Sequence, residues 1–279
     1  HMLRQRVITA LIIVGAFVAV LLLAPFPVQA LLFALVALAG AWEWSALAGC
    51  HSVLARAAYA AIVPLLSLGL WMLVTAGDTE LAAAVRPWLA GAAMLWSAML
   101  LALKSYPAGE WFWGRVWIRG LMGWLMLTMT WVAVAFCLTL SNGPLMVFLM
   151  MLTVAAADIG AYFAGRQLGR HALASAISPS KTWEGFWGGL VCVAALVFVL
   201  WRNLPPSYLH LDLGSLLALG LLTAGASVVG DLTVSALKRE CGLKDSGSLL
   251  PGHGGLLDRL DSICGAAPIF ALGLLLVGY

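Results

Sequence analysis

Long apolar runs recur along the whole of this 279-residue chain and constrain its fold more than any other feature. Each is about 17 to 25 residues long, which is the length that an α-helix needs to cross a bilayer. None alternates apolar and polar residues as a membrane β-barrel does. We count nine runs, with eight or ten as alternatives. They are residues 7–24, 28–45, 57–76, 84–103, 120–140, 144–165, 184–201, 214–236 and 262–278.

The composition agrees with this count, since 63% of the residues are apolar and only 10% are charged. We therefore predict an all-α, polytopic integral membrane protein with about nine transmembrane helices. Two runs are imperfect. Glu43 lies in the second run, which we expect to stop early and continue as an interfacial helix, and Arg86 and Pro87 open the fourth.

The N-terminal residues indicate a retained membrane span. His1 and Met2 are interpreted as a cloning remnant and the native start. The first apolar run is longer than the core of a signal peptide, and Pro25, Phe26 and Pro27 follow it instead of a small-residue cleavage site.

Basic residues collect in alternate loops, which predicts the orientation of the chain. The set of loops that includes the N-terminus holds 13 of the 15 Lys and Arg residues, whereas the other set holds Arg86 and Arg202. Basic residues favour the cytoplasmic side. We therefore predict a cytoplasmic N-terminus and, from an odd number of spans, an external Tyr279.

Four aspartates lie in or at the ends of apolar runs, where a charge is costly and is usually functional. Asp158 lies in the sixth run, Asp231 near the end of the eighth, and Asp258 and Asp261 at the start of the ninth. A structural ion pair or a charge at a helix end is the alternative explanation for each. Asp158 and Tyr162 are four residues apart, so they share a helix face.

The spacing of these residues predicts a site for a divalent cation and phosphate. Two helices that each present an aspartate near the cytoplasmic surface offer the all-oxygen ligands that Mg²⁺ prefers. The five cysteines lie far apart with no CxxC pair, which argues against zinc and disulfides. Five cationic or potentially cationic side chains surround the two aspartates and favour phosphate binding over proton transfer: Lys238, Arg239, Lys244, His253 and Arg259.

Two short segments could approach an anion. Residues 252–255 read Gly-His-Gly-Gly, so backbone N–H groups there can come close to a phosphate, although a flexible turn explains them equally well. The segment SPSKTWEG at 178–185 offers three hydroxyls and Lys181 before a span. A helix cap is the alternative. No P-loop or dinucleotide-binding motif occurs.

The segment SALKRECGLKDSGSLLPGHGGLLDRLDS at 235–262 carries a resemblance to a known family. It resembles the signature of the phosphatidate cytidylyltransferases, also called CDP-diacylglycerol synthases, with every fixed element at the right spacing. DIGAYFAGRQLGR and SPSKTWEG also resemble blocks of this family, so the close likeness covers at least residues 158–262. In the N-terminal half only AWEW at 41–44 is a weak match.

The resemblance implies a nucleotidyltransferase of phospholipid biosynthesis that converts CTP and phosphatidic acid to CDP-diacylglycerol and pyrophosphate with Mg²⁺, with room for a second cation. It implies that the protein lies in the bacterial inner membrane, that its active site is on the cytoplasmic face, and that it has no nucleic-acid partner. The implied metal ligands are Asp231 and Asp258, with Asp261 as a further ligand or a partner of Arg259. The residues expected to contact substrate, besides the five cations, are Ser178, Ser180, Lys181, Thr182, Ser235, Gly254 and Gly255.

Lys244 lies in the signature, so we assign it to the CTP triphosphate, and Lys181 to the lipid headgroup. We divide the chain into the remnant at 1–2, a scaffold of membrane helices at 3–140 that also offers oligomer contacts, and a catalytic region at 141–279. The catalytic region includes cytoplasmic loops 166–184 and 237–261. Gly185 and Gly189 form a GxxxG motif, which favours a homodimer.

Three other functions remain as alternatives. A CTP-dependent lipid kinase is chemically near, because it would bind the same nucleotide at a membrane. A CDP-alcohol phosphotransferase is disfavoured because its helix motif is missing. A cation-coupled transporter would use the buried aspartates as ion sites, but no inverted repeat is evident and the charges lie near one face instead of the midplane.

Overall fold

The computed structural model describes residues 15–249 and 254–279, apart from the side chains of residues 110 and 111. Residues 15–23 are helical, and the start of the first predicted run lies outside the described residues. Nine helices and two strands follow: α1 (Phe26–Leu47), α2 (Val53–Thr75), α3 (Leu81–Ser105), α4 (Glu110–Trp113), α5 (Val116–Thr139), α6 (Gly143–Leu168), β1 (Ala172–Ala174), β2 (Ser178–Thr182), α7 (Trp183–Asn203), α8 (Leu213–Glu240) and α9 (Leu257–Leu276).

Eight of these helices are long and apolar enough to cross a membrane, which confirms the predicted all-α membrane fold. The exception is the short α4. Every predicted run from the second to the ninth corresponds to one spanning helix. Two details differ from the sequence analysis: α1 continues unbroken through Glu43 to Leu47, and α3 begins at Leu81 and contains Pro87. The interruption expected at Glu43 is therefore wrong.

Local sequence explains where several helices begin and end. Ser52, Thr182 and Asp212 are N-caps whose side chains accept hydrogen bonds from backbone N–H groups in the first turns of α2, α7 and α8. Pro27 lies in the first turn of α1, where its missing N–H costs nothing. Helix α8 ends before Gly242, whose φ of 68° suits a glycine after a helix.

A small antiparallel hairpin interrupts the helical fold between α6 and α7, and the sequence did not predict it. Strands β1 and β2 pair Ala172 with Thr182 and Ala174 with Ser178. The backbone N–H of Trp183 also donates to the carbonyl of His171 at 2.9 Å. We call residues 171–183 the hairpin. It places β2 directly before the first turn of α7.

The two ends of the helical bundle are held by different contacts. At one end Arg119 donates to the Leu47 carbonyl at 2.8 Å, and Arg239 donates to the Ile177 carbonyl at 3.2 Å. At the other end Tyr279 donates to the Ser141 carbonyl at 3.1 Å. The first is the basic end, where the described loops rich in Lys and Arg come together. Tyr279 therefore lies at the end of the bundle away from these loops, and the side of the membrane that each end faces stays a prediction.

Helix α5 is the most enclosed of the spanning helices, and α1, α2, α6 and α9 pack against it. One apolar core joins α5, α6 and α9 toward the far end, and a second joins α1, α5 and α8 toward the basic end. Helices α6 and α7 pack closely, as do α8 and α9. These two helix pairs bring the predicted aspartates to the basic end.

The glycines of the GxxxG motif pack inside the chain. A Cβ atom at Gly185 would lie 2.8 Å from the Ala161 carbonyl oxygen, and one at Gly189 would lie 2.7 Å from that of Ala157. Both glycines therefore permit the close approach of α6 and α7. Their packing removes the motif as support for self-association, and the homodimer stays a prediction.

Candidate active site

Asp231 is paired with a lysine from a distant part of the sequence. It lies on α8, and its Oδ2 accepts a hydrogen bond from Lys181 Nζ at the end of β2. Its Oδ1 accepts from the Ser235 hydroxyl at 3.2 Å, one helical turn further along. About a quarter of each charged side chain of the pair is exposed. We call Lys181 and Asp231 the hairpin pair.

Asp258 is paired with a second lysine, in a more buried setting. Lys238 Nζ, on the last turn of α8, donates to Asp258 Oδ1 at 2.6 Å. The backbone N–H of Ser246 donates to Asp258 Oδ2 at 3.1 Å. The side chains of Lys238 and Asp258 are 10% and 17% exposed. We call them the loop pair, because the loop after α8 supplies the Ser246 contact.

A cavity of about 320 Å³ brings all four predicted aspartates together. Asp158 from α6, Asp231 from α8, and Asp258 and Asp261 from α9 line it, and Arg259 is also part of its wall. Asp261 is 5% exposed, and its Oδ1 accepts from the Ser262 backbone N–H at 2.7 Å. The predicted convergence of these side chains from separate helices is thus observed in the structure.

A larger cavity of about 460 Å³ lies between α6, α7, α8 and the hairpin. Asp158 and Asp231 line this cavity as well as the smaller one, so the two meet at these carboxylates. Its other polar side chains are those of Tyr162, Arg166, Ser180, Lys181 and Thr182, and its wall is otherwise mostly apolar. A charged end and an apolar body suit a ligand with a phosphate and a hydrocarbon part.

The remaining predicted cations lie in different places. Arg239 is directed to the Ile177 carbonyl and so connects α8 to the hairpin. Lys244 is exposed, and the structure records no hydrogen bond or ion pair between it and another described residue. His253 lies outside the described residues. The sequence placed Lys244 beside the aspartates, whereas the structure places Lys181 there.

The predicted substrate-binding residues with polar side chains differ in where they lie relative to the two cavities. Ser180, Lys181 and Thr182 line the larger cavity, and Ser235 contacts Asp231, but Ser178 is not part of either cavity wall. Thr182 also caps α7 by accepting from the Gly185 N–H at 3.1 Å, so the helix-cap interpretation is correct for this residue.

Gly254 and Gly255 lie just before α9 and have structural reasons to be glycine. Gly254 has a φ of 85°, which favours glycine. A Cβ atom at Gly255 would clash with the Ser246 hydroxyl and lie 2.9 Å from Asp258 Oδ2. Tyr162, predicted beside Asp158, lines the larger cavity and accepts a hydrogen bond from Arg166 at 3.0 Å.

Sequence reasoning missed Glu43 as part of this region. Glu43 is 1% exposed, and its carboxylate accepts hydrogen bonds from Ser246 and Leu249 in the loop after α8 and from Leu257 at the start of α9. A carboxylate inside an apolar run was the available signal, because such residues rarely face lipid. We instead took it as a sign that the span ended.

The donor atoms fit Mg²⁺, which prefers carboxylate oxygens and usually retains several waters. The four aspartates of the smaller cavity supply only oxygen. Among the described residues, however, no group of three or more His, Cys, Asp or Glu side chains is arranged to hold an ion. A cation here would therefore take two or fewer of these carboxylates and complete its shell with water or substrate oxygens.

The fold and the site together define a membrane-embedded enzyme for phosphate chemistry. Carboxylates and lysines gather at one end of the bundle, beside a cavity whose walls are mostly apolar. This arrangement suits the joining of a water-soluble phosphate compound to a lipid.

Comparison with known proteins identifies the family. The model of the cytidylyltransferase family matches residues 4–277, so the chain belongs to the cytidylyltransferase family and is a nucleotidyltransferase. The phosphatidate cytidylyltransferase of Pseudomonas aeruginosa is 40% identical, and the alignment covers 100% of this chain and 99% of the relative. That of Haemophilus influenzae is 35% identical, with 97% and 98% covered. That of Staphylococcus epidermidis is 34% identical, with 64% and 76% covered.

Proposed function

We propose that this enzyme transfers the cytidylyl group of CTP to phosphatidic acid, giving CDP-diacylglycerol and pyrophosphate. The family match and near full-length relatives named phosphatidate cytidylyltransferase support this reaction. The observation that carries it is the meeting of two cavities at Asp158 and Asp231. One cavity is largely apolar and the other is lined by carboxylates, as expected where a lipid phosphate meets a nucleotide.

The chemistry requires positioning and charge neutralisation more than a covalent nucleophile. A phosphate oxygen of phosphatidic acid attacks the α-phosphorus of CTP and forms the new P–O bond. The bond between the α-phosphorus and the bridging oxygen breaks, and pyrophosphate leaves with that electron pair. Lys181 and Lys238 lie at the two aspartates and offer positive charge to the phosphates of both substrates.

We propose Asp231 and Asp258 as the ligands of Mg²⁺, with Asp261 or Asp158 available for a second cation. When bound, Mg²⁺ would neutralise the triphosphate and make the α-phosphorus easier to attack. The two aspartates would hold the cation, and Lys181 and Lys238 would be available to phosphate oxygens. Ser235 keeps Asp231 in place by donating to Oδ1.

We further propose that the larger cavity receives the phosphatidic acid headgroup and its first acyl carbons. Lys181 and Arg166 would contact the lipid phosphate, and the apolar wall from α6 and α7 would contact the chains. CTP would occupy the smaller cavity, with Arg259 in its wall and Lys244 at the exposed loop. We place the basic end on the cytoplasmic face of the bacterial inner membrane, where CTP is available, and we retain the homodimer as a prediction.

The proposed reaction is tested with purified protein in detergent, CTP labelled in the cytosine ring, and Mg²⁺. We expect label in the chloroform-soluble product when phosphatidic acid is added, and none when diacylglycerol replaces it. A lipid kinase would phosphorylate an added lipid alcohol and leave cytidine out of the lipid. A transporter would give no labelled lipid in either case. Either of these results would overturn the proposal.

A further inference from the structure

Glu43 is a buried carboxylate that three donors from a distant segment surround. It lies on α1, and its Oε2 accepts from the Leu257 backbone N–H at 2.7 Å and from the Ser246 hydroxyl at 3.1 Å. Its Oε1 accepts from the Leu249 backbone N–H at 3.2 Å. The donors are more than 200 residues away in the sequence. One side chain thus fixes both sides of the loop between α8 and α9.

Among the described residues, the recorded contacts of the Glu43 carboxylate are hydrogen bonds from these donors. The ion pairs recorded among the described residues do not include it. Buried carboxylates without a cation need donors of this kind. Both oxygens of the Glu43 carboxylate are therefore satisfied by donors from the loop and the start of α9.

The loop encloses Glu43 closely because glycines face it. A Cβ atom at Gly247 would clash with the Glu43 carboxylate, and one at Gly255 would lie 2.8 Å from Oε2. Any side chain at either position would displace the carboxylate or the loop. Gly247 and Gly255 thus leave the space that the Glu43 carboxylate occupies.

Glu43 is connected to Asp258 by two routes. The Ser246 hydroxyl donates to Glu43, while the backbone N–H of the same residue donates to Asp258 Oδ2. The Leu257 N–H, which also donates to Glu43, belongs to the residue just before Asp258. A shift of Glu43 would therefore move both the donor that orients Asp258 and the first turn of α9.

We propose that Glu43 is a positioning residue that orients the Asp258 carboxylate through Ser246 and Leu257. Its action on turnover rests on the proposed cytidylyl transfer. Its hold on the loop does not depend on that reaction. Groups that orient a catalytic carboxylate commonly change activity by about 10- to 100-fold when they are removed.

The decisive variant is Glu43→Gln, which keeps the size of the side chain but replaces one acceptor oxygen with a donor. The new NH₂ group cannot accept from Leu249 or Leu257, so at least one backbone hydrogen bond is lost. Ser246→Ala is the second variant, because it removes only the hydroxyl and keeps the N–H that donates to Asp258. We expect kcat to fall about 100-fold in Glu43→Gln and about tenfold in Ser246→Ala, with KM for phosphatidic acid within about twofold.

Two controls separate positioning from stability. Gln29→Leu removes a different buried hydrogen bond of α1, from Gln29 to the Leu21 carbonyl. It should lower thermal stability while leaving kcat per folded molecule unchanged. Glu80→Gln changes an exposed carboxylate and should change neither quantity.

Amide hydrogen exchange gives a readout that does not require turnover. In Glu43→Gln we expect at least one of the Leu249 and Leu257 amides to exchange at least about tenfold faster, whereas in Ser246→Ala both should remain protected. The double variant should be no less active than Glu43→Gln, because both changes break one connection. If the wild-type protein makes no CDP-diacylglycerol, the proposed reaction fails, and the exchange rates still decide whether Glu43 holds the loop.

Three outcomes would overturn the proposal. The first is turnover in Glu43→Gln within about twofold of wild type. The second is unchanged hydrogen exchange in this variant at the amides of both Leu249 and Leu257. The third is a loss of kcat in Gln29→Leu as large as that in Glu43→Gln. If Glu43→Gln does not fold, Ser246→Ala decides the matter alone. Wild-type turnover in that variant would show that Ser246 does not transmit the position of Glu43.

Discussion

The hairpin pair and the loop pair contain the same two residue types but lie in different surroundings. Lys181 and Asp231 are about one quarter exposed, and both line the larger cavity. Lys238 and Asp258 are 10% and 17% exposed, and Ser246 supports the aspartate from the other side. The hairpin pair is thus the more open of the two, whereas the loop pair is more enclosed and reaches the smaller cavity through Asp258.

This difference predicts how each pair contributes to stability and to turnover. An exposed ion pair is worth little to folding, because water solvates both partners when they separate. A buried pair leaves an uncompensated charge when one partner is lost. We therefore expect the hairpin pair to affect turnover with little effect on folding, and the loop pair to affect both folding and turnover.

The largest effect should come from removing either aspartate charge. Asp231→Asn and Asp258→Asn keep the shape of the side chain but lose the charge that anchors a lysine and the proposed cation. We expect each to reduce turnover by at least about 1,000-fold while the protein still extracts as a folded species. Turnover is measured with labelled CTP, and folding by gel filtration and thermal melting. Near wild-type activity in either variant would remove that aspartate from the site.

Replacing the lysine of each pair tests whether the loop pair contributes more to the stability of the folded state than the hairpin pair does. Lys238→Met should destabilise the folded state by about 3 kcal/mol, because it leaves Asp258 buried without its cation. Lys181→Met should cost about 1 kcal/mol or less, because its partner remains open to water. Both should lower turnover by about 100-fold. Thermal melting in detergent, with Lys104→Met as the control, provides the measurement. Equal melting shifts for the two variants would show that the environments do not differ as we describe.

Gly255 packs against the residues that surround Asp258, so its substitution tests how rigid the surroundings of the loop pair are. Gly255→Ala should lower stability by about 1–3 kcal/mol, because its Cβ would press on the Ser246 hydroxyl, Glu43 and Asp258. Gly225→Ala, on α8, meets no atom within 4 Å and should be neutral or slightly stabilising. The two melting temperatures are compared directly. A neutral Gly255→Ala would mean that the loop adjusts easily around Asp258.

Asp158→Asn should have the smallest effect of these changes. Asp158 lies where the two cavities meet, but the structure records no ion pair for it among the described residues. We expect turnover to fall about tenfold, because the local charge changes and no pair is broken. Asp78→Asn, in an exposed loop at the far end, is the control. A loss as large as that of Asp231→Asn would make Asp158 a principal ligand.

Much of the fold could be predicted because membrane spans are encoded locally. A run of apolar residues specifies a spanning helix by itself, so eight runs correspond to eight helices. The positions of Asp231 and Asp258 were also predictable, since helix spacing and the signature segment placed them near one membrane face. The hairpin was not predicted, because its five-residue strand β2 has no apolar alternation that marks a strand.

The partners of the aspartates could not be read from the sequence. Lys181 is 50 residues away from Asp231, and Glu43 is more than 200 residues away from the loop it holds. Such contacts depend on how helices pack, and a single sequence contains no direct record of that packing. Lys244 appeared nearer to the aspartates than Lys181 only because it is nearer in sequence.

The central claim is that the hairpin pair and the loop pair serve one reaction centre. Its most direct test is the turnover of Lys181→Met, Lys238→Met and the double variant under saturating substrates. Residues that act as a unit do not give independent losses. We predict that the double variant loses about 100- to 1,000-fold, well short of the product of the two single losses. A loss of about 10,000-fold in the double variant, the product of the two single losses, would contradict this claim. Such a product is expected when two residues act at separate, independent sites.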